Sequence, residues 1–243
     1  MFAVAGGWYG PCWDLGYNSK TIYWSISHWF IQEKMSDPGA PALNKEMTGE
    51  SLKKEAISSP DPHVRGYSIY LLGAEKDPSR KEIFLSALRD ENKGVRAQAA
   101  QALAALGEAI IPDLCVLLHN DNWRIRYRAA EALGKIPSRD GVQHLIRAVS
   151  DEKDHVRYMA IKSLGSLAEK TAVPDIISRL SDENEYVRRV AVLTLGKIGS
   201  EEGIAAVCEI FDRETADSVR RVISKVLKQN NMIPSGDASL QGT

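Results

Sequence analysis

VRYMAIKSLGSL, residues 156–167, decides the fold of this chain because it does not stand alone. Its pattern returns as VRGYSIYLLG (64–73), VRAQAAQALAALG (95–107), IRYRAAEALGKI (125–136) and VRRVAVLTLGKIG (187–199), and a sixth pair, Val219-Arg220, follows. The Val-Arg or Ile-Arg pairs begin at 64, 95, 125, 156, 187 and 219, at intervals of 31, 30, 31, 31 and 32 residues. A sustained period of that size marks stacked supersecondary units that share a continuous core.

Counting from each Val or Ile shows what every unit needs. Offset 4 is Ser68, Ala99, Ala129, Ala160, Ala191 and Ile223, and offset 8 is leucine throughout: Leu72, Leu103, Leu133, Leu164, Leu195 and Leu227. Positions 0, 4, 8 and 11 lie on one face of a helix, so they predict the buried stripe. Offset 9 is Gly73, Ala104, Gly134, Gly165, Gly196 and Lys228, where glycine suits helix ends and close packing. A shorter apolar helix precedes each of these: SRKEIFLSALRD (79–90), AIIPDLCVLLHN (109–120), DGVQHLIRAVSD (140–151), TAVPDIISRLSD (171–182) and EGIAAVCEIFD (202–212). Pro78, Pro112 and Pro174 fall at or near first turns, where a missing N–H costs little. Asp90, Asp151 and Asp182 close the first helix five residues before the Val, and Asn120 holds that place in one repeat.

The repeats are expected to run from 47 to 230. Residues 1–34 differ from them, with four of the five tryptophans (Trp8, Trp13, Trp24, Trp29) and no helical period. They read either as sequence upstream of a true start at Met35 or as an aromatic cap that binds a partner. Residues 35–46 read as a polar, Pro-containing linker, and 231–243 as a Gly/Ser-rich disordered tail.

Formal net charge is −1, from 31 basic and 32 acidic residues, which disfavours a general nucleic-acid binder because such proteins need a basic surplus. The three cysteines, Cys12, Cys115 and Cys208, are odd in number and lack a CxxC spacing, which supports neither a disulfide framework nor a zinc site. Cys115 and Cys208 read as small apolar residues of buried helix faces. With no apolar run of 18 residues and no secretory signal pattern, the expectation is a cytoplasmic protein without a membrane span.

At these residues the chain resembles the HEAT-like repeat family first described in phycobilisome bilin lyases. The resemblance covers roughly 47–230 and is carried by packing residues, so it is specific for fold and not for activity. It implies an all-α chain: a right-handed α–α superhelix, a HEAT-type solenoid of about six helix pairs. It further implies that the second helices line a concave surface and that repeated Asp and Arg residues form a hydrogen-bonded ladder. Arg65, Arg96, Arg126, Arg157, Arg188 and Arg220 are then structural, the alternative being a phosphate-binding row. Hydroxylases of this family hold di-iron with His-Glu pairs. Here no histidine precedes glutamate: the pairs are His28-Trp29, His63-Val64, His119-Asn120, His144-Leu145 and His155-Val156. His63 and His155 occupy equivalent offsets, but three repeats separate them, roughly 25–30 Å at about 8–10 Å per helix. The expectation is no metal, no cofactor and no catalytic residue.

What remains is the open side of the second helices, at offsets −1, 2, 3 and 6. There the sequence places Tyr67, Tyr70, Trp123 (one residue earlier), Arg124, Tyr127, Arg128, Tyr158, Tyr186, Arg189 and Arg221, with Glu131, His155, Lys162 and Lys225 beside them. Tyr, Trp and Arg are the types most enriched at binding hot spots; long side chains that merely cover helix stems are the bland alternative. The leading expectation is a non-enzymatic scaffold that binds a protein or peptide in its groove. A lyase-type enzyme or subunit follows from the resemblance alone. Nucleic-acid binding through Arg124, Arg128, Arg189 and Arg221 is a third reading, which the charge balance disfavours.

Overall fold

A computed structural model describes residues 48–232; the expectations for 1–34, for the linker 35–46 and for nearly all of the tail 231–243 lie outside the described residues. Six helix pairs follow one another: α1 (Gly49–Ser58) with α2 (Pro62–Ala74), α3 (Lys81–Ala87) with α4 (Lys93–Ala105), α5 (Ile111–Leu117) with α6 (Trp123–Leu133), α7 (Val142–Ala148) with α8 (Asp154–Ser166), α9 (Val173–Ile177) with α10 (Glu185–Ile198), and α11 (Glu201–Glu209) with α12 (Asp217–Gln229). Among the described residues there is no strand. The described residues form an all-α, right-handed α–α superhelix of the HEAT type.

Each second helix starts two residues ahead of its Val or Ile, because the capping residue stands three ahead. Asp61, Asn92, Asn122 and Asn184 accept backbone N–H bonds from His63, Gly94, Arg124 and Tyr186 at 2.8–3.0 Å. These short polar side chains satisfy donors that have no partner within the helix. Pro112 and Pro174 sit in the first turns of α5 and α9, and Pro78 opens the short 3-10 turn before α3. Twelve residues past the Val, the chain leaves the second helix in the left-handed region at Lys76, Gly107, Ala168 and Gly199. Glycine fills that conformation without strain; Lys76 and Ala168 do not.

The core is a continuous sandwich. All six residues at offset 4, and the leucines at offset 8, are buried. The first helices contribute Phe84, Leu88, Leu114, Leu118, Leu145, Val149, Ile176, Leu180 and Val207 from the other layer. Cys115 joins that layer, but Cys208 is exposed. This corrects the expectation for Cys208. On α11 the buried face is Gly203, Ile204 and Val207, and the next residue turns outward.

The glycines at offset 9 set the distance between repeats. A Cβ on Gly73, Gly134, Gly165 or Gly196 would meet Ala102, Ser163, Thr194 or Val226, in each case offset 7 of the next second helix, at 2.4–2.8 Å. Ser163 Oγ also donates to the Ala130 carbonyl at 2.8 Å, a bond that requires the same close approach. At Gly134 the clash reaches the Ser163 backbone, with Cα 2.7 Å away, so no rotamer change relieves it. Gly134→Ala is therefore expected to cost about 1–3 kcal/mol, the usual range for overpacking. Urea unfolding checks this, and a loss below about 0.5 kcal/mol would mean that the two helices slide apart freely.

At the last repeat the pattern changes. Ile223 stays buried, while Arg221, Lys225 and Lys228 are exposed on α12. Among the described residues no further repeat covers α12, and charge there keeps that side in water. No helix among the described residues is long and apolar enough to cross a membrane.

Candidate functional site

The Val-Arg arginines run from repeat to repeat as a ladder along the turns that join first and second helices. In Arg65, Arg126, Arg157 and Arg188, Nε and Nη2 donate to both carboxylate oxygens of Asp90, Asp151, Asp182 and Glu214 at 2.7–3.0 Å. Nη1 of each donates to two backbone carbonyls of its own turn at 2.8–3.3 Å. Planar bidentate pairing of this kind satisfies the whole fork and fixes register. The acid also receives a backbone N–H two residues on, as Asp90 does from Asn92 and Asp182 from Asn184. The Arg188 guanidinium holds the Glu214 carboxyl below its ordinary value, against the opposing effect of burial. Glu214 occupies the ladder place that Asp90, Asp151 and Asp182 fill in other repeats, and sequence reasoning missed it. The spacing to Val219 would have found it.

Two of the six arginines depart from this. Arg220, in the last repeat, donates to the Glu214 carbonyl and lies over the Phe211 ring, 5.3 Å from its centroid. Arg96 donates through Nη1 to the carbonyls of Asp90 and Glu91 at 2.6 and 2.7 Å, but the next repeat offers Asn120 where the others offer an acid. Burial, then the neighbouring Arg128 and Arg124, hold the Arg96 guanidinium below the usual arginine value.

None of the ten side chains assigned to the binding strip is buried. Tyr67, Trp123, Tyr127, Arg128, Tyr158 and Arg189 are half-buried, and Tyr70, Arg124, Tyr186 and Arg221 are exposed. They gather in local groups. Tyr67 and Tyr70 stack at 6.1 Å on α2. Trp123 carries Arg124 over its ring at 5.0 Å and Lys153 at 5.7 Å, with His155 of the next repeat 5.0 Å away. Arg128 lies over Tyr127 at 5.1 Å, Lys162 over Tyr158 at 5.9 Å, and Arg189 over Tyr186 at 6.0 Å. Contacts of this kind hold a ring and a cation in a fixed mutual pose.

Tyr127 is one of the half-buried rings. Burial raises its hydroxyl pKa, with smaller contributions in the same direction from Glu131 and Tyr158. Beside it, Glu131 accepts from Arg128 at 2.5 Å and from Lys135 at 3.1 Å, and Arg128 also donates to the Lys93 carbonyl of the preceding repeat at 3.2 Å. Arg221 stands apart from these groups, its Nε donating to the Asp217 carbonyl at 3.3 Å. Sequence reasoning did not place Lys153 or Arg96 in this neighbourhood, because their proximity depends on distances across the repeat boundary.

Comparison with known proteins places this geometry in context. The HEAT repeats pattern matches residues 49–110, 82–158, 111–172 and 142–228. An uncharacterized phycocyanin operon protein Z of Pseudanabaena tenuis is 28% identical over 106 residues, 40% of this chain and 52% of that protein, so the chain spans about half the length of this curated relative. Among solved structures, the complex of CpcE and CpcF of phycocyanin lyase from Nostoc matches with a TM-score of 0.58 and 21% identity, covering 62% of this chain and 99% of that one. The Escherichia coli protein YibA matches with a TM-score of 0.51 and 18% identity, covering 86% of this chain and 82% of that one. At these identities the two structures speak to fold alone. The four overlapping matches cover nearly every repeat built on a Val-Arg or Ile-Arg pair, and the chain belongs to the HEAT repeat family.

Proposed function

We propose that the repeat solenoid is a non-enzymatic scaffold that holds a protein or peptide along its second-helix layer. The observation that carries the reading is the run of ring–cation pairs at Trp123 and Tyr127 on α6, Tyr158 on α8 and Tyr186 on α10, none of them buried. The glycines at offset 9 bring the second helices close, which supports their lying on the inside of the curve. Rigid aromatic rings held by cations lose little entropy when a partner covers them. Adjacent repeats space equivalent offsets by about 10 Å, which suits an extended segment or a helix laid across them.

Tyr127→Ala with Tyr158→Ala is expected to leave helicity unchanged and weaken partner binding by about 2 kcal/mol or more, a hot-spot loss. Affinity capture with immobilised protein, followed by binding measurements on the captured partner, checks this. Equal affinity for the double variant and the parent would remove the strip from the function.

The relationship to a phycocyanin operon protein favours a second reading, a subunit of a lyase-type assembly that acts on phycocyanin. Incubation with a phycocyanin apo-subunit and a free bilin separates the two. Covalent attachment that depends on this chain supports the lyase reading, and binding of the apo-subunit without attachment supports the scaffold.

A further inference from the structure

Arg96 is an arginine built into a ladder whose next rung gives it no acid. Its Nη1 makes the same pair of carbonyl bonds as in Arg65, Arg126, Arg157 and Arg188, so the guanidinium sits in the ladder pose. At those four positions Nε and Nη2 grip a carboxylate; in Arg96 only Nη1 has an acceptor among the described residues. The reason lies in two substitutions side by side. Asn120 stands where the others have Asp or Glu. Its Oδ1 accepts the Asn122 N–H at 3.0 Å, the bond that Asp90, Asp151 and Asp182 also make with one oxygen. That leaves its amide nitrogen, a donor, where the other rungs present the oxygen that receives Nε. The second acid is shortened as well. Glu91, Glu152 and Glu183 reach Arg65, Arg126 and Arg157 at 3.1–3.9 Å, whereas the corresponding residue here is Asp121, which forms no such pair.

The surroundings are cationic. Arg128 leans back to the Lys93 carbonyl at the start of α4, one turn from Arg96, and Arg124 lies on the same side over Trp123. Asp90 is committed to Arg65 and Glu131 to Arg128 and Lys135, so among the described residues the forks of Arg96 and Arg124 have no acid bonded to them. Nε and Nη2 of this half-buried fork are open to solvent, so a carboxylate can reach them from outside.

We propose that Arg96, flanked by Arg124 and Arg128, is a docking site for an Asp or Glu side chain of an acidic segment of a partner protein. The incoming carboxylate takes the place that Asp151 takes on Arg126, completing the ladder from outside. The site is shaped for a carboxylate because the forks of Arg65, Arg126, Arg157 and Arg188 are each held planar against one. Trp123 and Tyr127 border it, so an acidic residue next to an apolar one satisfies both the fork and the rings. This rests on the scaffold reading only in assigning the carboxylate to a protein.

The test uses the full chain and a fluorescent octapeptide of alternating Glu and Leu, beside its Gln-for-Glu counterpart. The acidic peptide is expected to bind, and the neutral one to bind at least about tenfold more weakly. Asn120→Asp gives Arg96 an internal acid, so it is expected to raise the melting temperature and to weaken the acidic peptide about tenfold or more. Arg96→Gln is expected to weaken it similarly. Unchanged peptide affinity in Asn120→Asp, or no preference for the acidic peptide, overturns the proposal. Inorganic phosphate that competes at lower concentration than acetate, with the same dependence on Arg96, overturns the carboxylate assignment in favour of a phosphate site. A Tyr158→Ala, Tyr186→Ala double variant, farther along the strip, keeps the two readings apart. Retained acidic-peptide binding there, with loss of the captured partner, tests the strip without touching Arg96.

Discussion

Arg157→Met is expected to destabilise the solenoid by about 3–5 kcal/mol, the range for stranding one partner of a buried ion pair. Arg157 and Asp182 have side chains only 7% and 2% exposed, and they meet through two bonds of 2.8 Å. Methionine keeps much of the stem's packing, so the loss reports the guanidinium. Without it, Asp182 keeps the Asn184 N–H at 2.9 Å and a distant Arg179 at 4.0 Å, too little for a carboxylate out of water. The carbonyls of Asp151 and Glu152 lose their Nη1 donor as well. Arg96→Met makes the internal comparison, because that arginine serves two carbonyls but no acid. Urea denaturation of both variants checks the difference. If Arg157→Met costs no more than Arg96→Met, the carboxylate pairing contributes nothing to stability and the ladder is only geometric. Acid adds a second readout. Glu214 has a depressed carboxyl pKa, so its pairing with Arg188 stabilises the fold above the unfolded-state value and is lost as pH falls through the folded-state one. Glu214→Gln is expected to flatten that part of the acid limb.

The period of the sequence made most of this architecture legible, since packing residues repeat and their offsets translate directly into faces of a helix. Offsets 4 and 8 and the glycines at 9 are where the period puts them because each is dictated by the neighbour one repeat away. Cys208 escaped the rule because it lies one step past the buried face of the last first helix. Glu214 escaped it because the acid changes type, although it keeps the five-residue spacing to Val219. The candidate site was legible only by exposure. Offsets say which side chains leave the core, but not which reach across a boundary, so Lys153 over Trp123 and Arg128 on the Lys93 carbonyl needed coordinates. The mismatch at Arg96 was written in the sequence as Asn120, yet it acquires meaning only when the four complete rungs show what an acid at that place does.

Leu164→Ala is expected to cost about 2–5 kcal/mol, and Leu133→Ala a similar amount, because both leucines fill the seam between repeats. Leu164 is 0% and Leu133 3% exposed. The seam has little freedom to collapse around a lost side chain. Beside Leu164, Gly165 already lies against Thr194, and beside Leu133, Gly134 lies against Ser163, so neighbouring helices are at contact distance and cannot close a cavity by approaching further. That rigidity puts the expected loss toward the upper half of the range. In a one-dimensional stack each repeat is held only by its neighbours, so a loss of this size in the middle should also weaken cooperativity. Hydrogen exchange should then show the repeats on either side of Leu164 opening together at lower free energy than the rest. Losses below about 1 kcal/mol, with uniform exchange, would mean that offset 8 does not face the seam and that the helical face carrying the whole fold has been misassigned.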